Sequence, residues 1–164
     1  MITKIKKDFI SEEIFTRELK RMLVESSDSS KVRQVAWGIV DGHDDHSKIG
    51  AIYTWVKDNV IYTPDPIGPE GEIELFTSPI YQIEKYFNGE QMREDCDGIA
   101  LMVASLARSV GIPARIILID VAGNGIDHAV AELYSNKLHT WIMIDASSKF
   151  PPGWHENSFR RVEI

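Results

Sequence analysis

The chain has 164 residues, 43% hydrophobic and 26% charged, which suits one ordinary folded domain with a sizeable core. Its single cysteine excludes an intrachain disulfide and a cysteine-rich zinc site, and no apolar run is long enough to span a bilayer. The formal charge is −7, and residues 58–97 alone carry ten acids against two bases. With no basic run to neutralise phosphates, nucleic acid is not an expected partner. The acidic stretch is expected to be a solvated loop, with a basic substrate as the alternative. The opening MITKIKKDFISEE has lysines but no apolar segment after them, so no secretory signal is expected and the cytoplasm is the default compartment.

The first half reads as helical. Ser11 is a suitable N-cap, with Glu12 and Glu13 in the first turn and Ile14, Phe15, Leu19, Met22 and Leu23 at helical spacing. A short helix is expected around Val32–Val40. Asp44 or Asp45 then caps a third, with Ile49, Ile52, Tyr53, Val56 and Val60 on one face. In DGHDDHSK, His43 and His46 have a spacing that binds divalent ions when both side chains face inward. A polar turn before a helix favours capping, so no metal is expected there. The segment TPDPIGPEGEIELFTSP holds four prolines and two glycines, which predicts a long loop rather than a helix or central strand. A helix near Ile80–Phe87 stops at Asn88-Gly89.

The second half changes character. Asp95 is placed to cap CDGIALMVASLARSV, a helix apolar nearly all round and therefore central, ending at Gly111 with Pro113 beyond. ARIILIDV reads as a strand covered on both faces, and HAVAELY and HTWIMID follow around a turn at Asn136-Lys137. Helices, then a buried helix, then a sheet make an α+β domain.

Cys96 is the first residue of that buried helix. The N–H groups and dipole at a helix start favour a thiolate, which would lower the thiol pKa. A nucleophilic cysteine needs a base and the base an orienter. A turn centred on Asn136-Lys137 pairs Ser135 with Leu138. The same register sets His128 opposite Asp145, with Cβ atoms roughly 4.5–5.5 Å apart, and Glu132 opposite Trp141. It also puts Ala129, Ala131, Leu133, Ile142 and Ile144 on the other, apolar face.

The runs EDCDGIALMVASLARSVGIPARI, DHAVAEL and WIMIDAS together resemble the core of the transglutaminase-like superfamily, whose papain-type members use Cys, His and Asp in that chain order. IYTWVKDNVIYTPDP is similar to the segment that usually precedes that core. The resemblance implies a papain-like fold with the nucleophile helix packed on an antiparallel sheet. It implies a single domain with residues 1–40 as a helical N-terminal extension, 49–148 as the core and 149–164 as a tail. It also implies Cys96, His128 and Asp145 as catalytic residues, a protein or peptide substrate, no cofactor, and acyl transfer through a thioester. Hydrolysis of an amide bond is the expected outcome, with transamidation and a non-catalytic binding role (in a phage particle, for instance) as alternatives. Crosslinking members have Trp directly after the nucleophile, where this chain has Asp97, and Arg93 and Glu94 replace their glycines. For the oxyanion, the N–H of Cys96 is one expected donor and Gln91 the candidate for the other. Trp141 and Trp154 are candidates to line the substrate site.

Overall fold

A computed structural model describes residues 1–7, 10–69, 71–154 and 157–164. Among these residues no helix is long and apolar enough to cross a membrane. Strand β1 (Ile2–Lys6) is followed by α1 (Glu12–Ser27), α2 (Ser30–Val40) and α3 (Ser47–Asn59). Next come β2 (Val60–Tyr62), β3 (Ile67–Gly68), β4 (Gly71–Thr77), α4 (Pro79–Phe87) and β5 (Met92–Glu94). The central helix α5 (Cys96–Ser109) leads into β6 (Ala114–Asp120), β7 (His128–Ser135), β8 (Thr140–Ile144) and β9 (Arg160–Glu163).

The helices start and stop where side chains satisfy their ends. The Ser11 hydroxyl accepts from the Ile14 N–H, the Ser78 hydroxyl from Tyr81 and the Asp95 carboxylate from Gly98. Asp44 caps α3 from outside its first turn, accepting from the N–H groups of His46 and Ser47. At the far end of α5, the N–H of Ile112 bonds the Ala107 carbonyl and that of Gly111 bonds Arg108, with Gly111 at φ 82. This double closure needs a left-handed residue, which is why the helix ends at that glycine.

The described residues form three sheets. The largest is antiparallel in the order β8-β7-β6-β9, and its inner face (Ile116, Leu118, Ala129, Ala131, Leu133, Ile144) packs into one core with α5 and buried residues of α1, α2 and α3. The outer face carries a second, smaller apolar cluster of Ile117, Ile119, Val130 and Met143. Burying about a dozen fully enclosed large side chains supplies the main drive to fold, at roughly 1.5–3 kcal/mol each before entropy.

Several expectations need correction. β4 lies inside the proline-rich segment read as loop, and it is the middle strand of the sheet β1-β4-β3. Its prolines all fall outside the strand, so no ladder N–H is lost. The N-terminal region begins with β1, and its helices α1 and α2 pack directly on α5, so residues 1–40 build the core instead of extending it. In the β7–β8 hairpin the loop takes residues 136–139, and Ser135 pairs with Thr140, Tyr134 with Trp141 and Glu132 with Met143. The register thus differs by two residues from that expected, which preserves every face while changing every partner.

Candidate active site

Cys96 opens α5 against the start of β7. The backbone N–H groups of Ala129 and Asp97 lie close enough to its sulfur to favour the thiolate. Ala129 follows His128 in sequence, so the sulfur docks beside the histidine's own backbone. His128 Nε2 lies 2.9 Å from Asp145 Oδ2. The bond is made diagonally past the end of β8, not across the ladder. Asp145 is fixed in turn: its Oδ1 accepts from the Ser147 N–H at 3.1 Å and the Ser147 hydroxyl at 2.6 Å. Helix α3 steadies the segment after it, with Tyr53 donating to the Phe150 carbonyl and Lys57 to that of Ser148. Burial pushes the Asp145 carboxyl upward, but the hydrogen bonds from His128, Ser147 and Ser148 outweigh it and hold the group at about 2.

The thiol runs against the expectation from its helix position. Burial pushes Cys96 up to about 12, and the charges of Asp97 and Asp95 push the same way. The two N–H donors oppose that shift without reversing it. The resting sulfur is therefore a protonated thiol. Desolvation and two flanking carboxylates win over the helix N-terminus.

Cys96 and His128 line one cavity of about 440 Å³, together with Glu12, Glu74, Asp95 and Asp97. Asp65, Glu74 and Asp95 bring carboxylate oxygens within 4.8 Å of one another, the grouping among the described residues whose spacing suits a metal ion. His43 and His46 are not part of it. Crowded acids resist ionising: burial and then Asp65 hold Glu74 up to about 7, and burial and then Asp95 raise Asp97 and Asp65. Glu94 stands just behind, packed on Gly98 and bonded by the Gln82 amide, and burial holds it up to about 8.

The remaining predicted residues lie elsewhere. Gln91 spends its amide on the carbonyls of Asn59 and Met92, at the β2–β5 junction, so it is not directed at the cavity. Trp141 sits on the outer face, edge-on to Tyr134 and beneath the Arg115 guanidinium at 4.1 Å, and it borders a separate groove with His46, Ile142 and Gly153. Trp154 stacks on Phe150 at 3.6 Å and is not part of the cavity wall. One residue the sequence did not reveal is brought near the head of α5. β2 runs parallel to β5 with Tyr62 beside Glu94, two residues before Cys96. Val60 and Met92 are buried in this pairing, whereas Tyr62 is half exposed. Burial, then the charges of Cys96 and Asp95, raise the Tyr62 phenol. Only the long-range pairing of β2 with β5 brings it there, and no local pattern signals that pairing.

A cysteine at the head of an enclosed helix, set against an antiparallel sheet that carries an aspartate-held histidine, defines a papain-like thiol fold. The sequence model of the transglutaminase-like superfamily matches residues 33–146, and the chain belongs to that superfamily. Among solved structures, it is similar to a protein from Cytophaga hutchinsonii provisionally described as a cysteine protease, with 21% identity and a TM-score of 0.56 over 89% of this chain and 49% of that one. A provisionally described protease from Parabacteroides distasonis shares 12% identity at a TM-score of 0.56, over 82% of this chain and 26% of that one. LapG from Legionella pneumophila shares 17% identity at a TM-score of 0.51, over 89% and 83% of the two chains. The present chain therefore spans about half of the first and a quarter of the second. At these identities the likeness is one of fold. No curated protein sequence matches the chain.

Proposed function

We propose that the protein hydrolyses an amide bond, peptide or isopeptide, through a thioester on Cys96. The observation that carries this reading is the His128–Asp145 bond, with His128 and Cys96 on the wall of one cavity. Because Nε2 is committed to Asp145, proton exchange with the thiol falls to Nδ1 of His128. With the thiol protonated at rest, His128 takes the sulfur proton as the C–S bond forms. It returns that proton to the leaving amine as the C–N bond breaks. A water then attacks the thioester, giving its proton to His128, and the acid leaves as the thiol is restored. Asp145 stays ionised throughout and stabilises the imidazolium that forms. In this reading the N–H of Cys96, in the first turn of α5 and without an intrahelical acceptor, is one oxyanion donor, and the Tyr62 hydroxyl is the candidate for the other. The substrate is a protein or peptide presenting a basic side chain to the acidic side of the cavity, where Glu12 and Asp95 lie.

The test is turnover of a mixed peptide pool, read by mass spectrometry, with Cys96→Ser and His128→Ala as controls. Cleavage by the parent chain that both substitutions abolish is the expected result. Cleavage that survives Cys96→Ser, or none from the parent against basic or neutral peptides, would overturn it.

A further inference from the structure

Among the described residues, the cavity beside Cys96 has the cations Lys7 and Arg160 on its wall, and both are already engaged. Lys7 pairs with Glu72 at 3.6 Å. Arg160, the first residue of β9, reaches across to Glu12, the first residue of α1, and grips its carboxylate with both guanidinium nitrogens at 2.7 and 2.8 Å. The two residues are 148 positions apart and both line the cavity, so the pair spans it from the helical side to the sheet side. Among the described residues five carboxylates (Glu12, Glu74, Asp95, Asp97 and Asp127) share that wall, and of these Glu12 is the one covered by a guanidinium of the chain itself.

We propose that the Glu12–Arg160 pair is a displaceable clasp: a cationic side chain of the substrate enters by taking Arg160's place on Glu12, so that Glu12 selects for lysine or arginine and Arg160 competes with them. This rests on the reading of the cavity as the substrate site. The two-pronged grip is the geometry in which a guanidinium recognises a carboxylate, and an incoming arginine can reproduce it. Both side chains are more than two-fifths exposed, at 57% and 41%. Exposed pairs of this kind add little to stability, so exchange is inexpensive and sensitive to salt. Opening the clasp leaves Arg160 solvated and moves no backbone.

The test needs no substrate, because Cys96 is the only thiol. Its rate of modification is measured with three methanethiosulfonates: neutral methyl, cationic trimethylammonioethyl and anionic sulfonatoethyl. Taking the cationic-to-neutral ratio cancels any change in the thiol's own reactivity. Arg160→Gln should raise that ratio roughly tenfold, the scale on which local charge changes encounter rates, and Glu12→Gln should lower it below the parent value. Arg33→Gln, the same charge change on an exposed part of α2, should leave it unmoved. The proposal falls if Arg160→Gln speeds all three reagents alike, if Arg33→Gln matches it, if neither cavity variant moves the ratio, or if folded Cys96 is inert to all three. The charge pattern without peptide turnover would leave the clasp standing and remove the hydrolase reading. Turnover with a flat ratio would do the reverse.

Discussion

Glu94 folds its carboxylate over Gly98, and a Cβ on that glycine would run into the Glu94 Oε2 and Cδ atoms. Glu94 cannot swing aside freely, because Gln82 donates to it and the side chain is buried. Gly98→Ala, ordinarily favourable in a helix, is therefore expected to destabilise the fold by about 1–3 kcal/mol. A drop of several degrees in melting temperature would register this; an unchanged or raised value would show that the contact yields.

The same carboxylate gives stability an unusual pH dependence. Glu94 keeps its proton to about 8 and Glu74 to about 7 in the folded chain, whereas an unfolded glutamate releases it near 4.3. The folded state thus binds more protons across that window, and stability falls as pH rises from about 5 to 8, by on the order of several kcal/mol. Asp145 works in the opposite sense at the acid end: its folded value of about 2 contributes stability above about 4 that is lost on further acidification. Thermal melts should peak at mildly acid pH, and Glu94→Gln should flatten the alkaline decline. A parent chain that gains stability between pH 5 and 8 would contradict this.

Tyr62→Phe separates oxyanion binding from thiol chemistry. Losing one oxyanion donor costs on the order of 10²–10³ in turnover. A peptide aldehyde, whose adduct carries an oxyanion, should bind the variant correspondingly more weakly. Alkylation by iodoacetamide passes through no oxyanion, so its rate should stay within about twofold of the parent at the same pH. Equal aldehyde affinity in both chains would remove Tyr62 from the role.

His139 closes the β7–β8 loop at φ 51, a left-handed conformation that a side chain strains. His139→Gly is expected to raise stability by about 0.5–1 kcal/mol, offset in part by the extra freedom glycine has when unfolded. Denaturant titration with an unchanged slope and a higher midpoint would confirm it.

What the sequence made legible followed from local pattern. The four longest helices, the caps at Ser11 and Asp95, the glycine stop at Gly111 and the inner face of β7 and β8 all rest on residues a few positions apart. His128 and Asp145 were brought together by face parity, even though the register was wrong. The loop's fourth residue is His139, a residue type that does not announce a left-handed turn as glycine would, and so the hairpin reads two residues shorter than it is. What stayed illegible is long-range. β1 finds β4 across α1, α2 and α3, β2 finds β5 across β3, β4 and α4, and β9 returns to the edge of β6. Tyr62 and the carboxylates of Asp65 and Glu74 reach Cys96 only through those pairings. Hence the raised thiol was not visible from the helix start alone.

Helix α5 touches α1, α2, α3, α4, β6 and β7, so no neighbour can leave it without exposing the core. Its amides should accordingly be among the slowest in the molecule to exchange with deuterium, opening only when the whole chain opens. The lone sulfur at its head then doubles as an internal clock. With a bulky thiol reagent that the folded cavity excludes and that reacts faster than the chain refolds, labelling of Cys96 would follow global unfolding with no engineered probe.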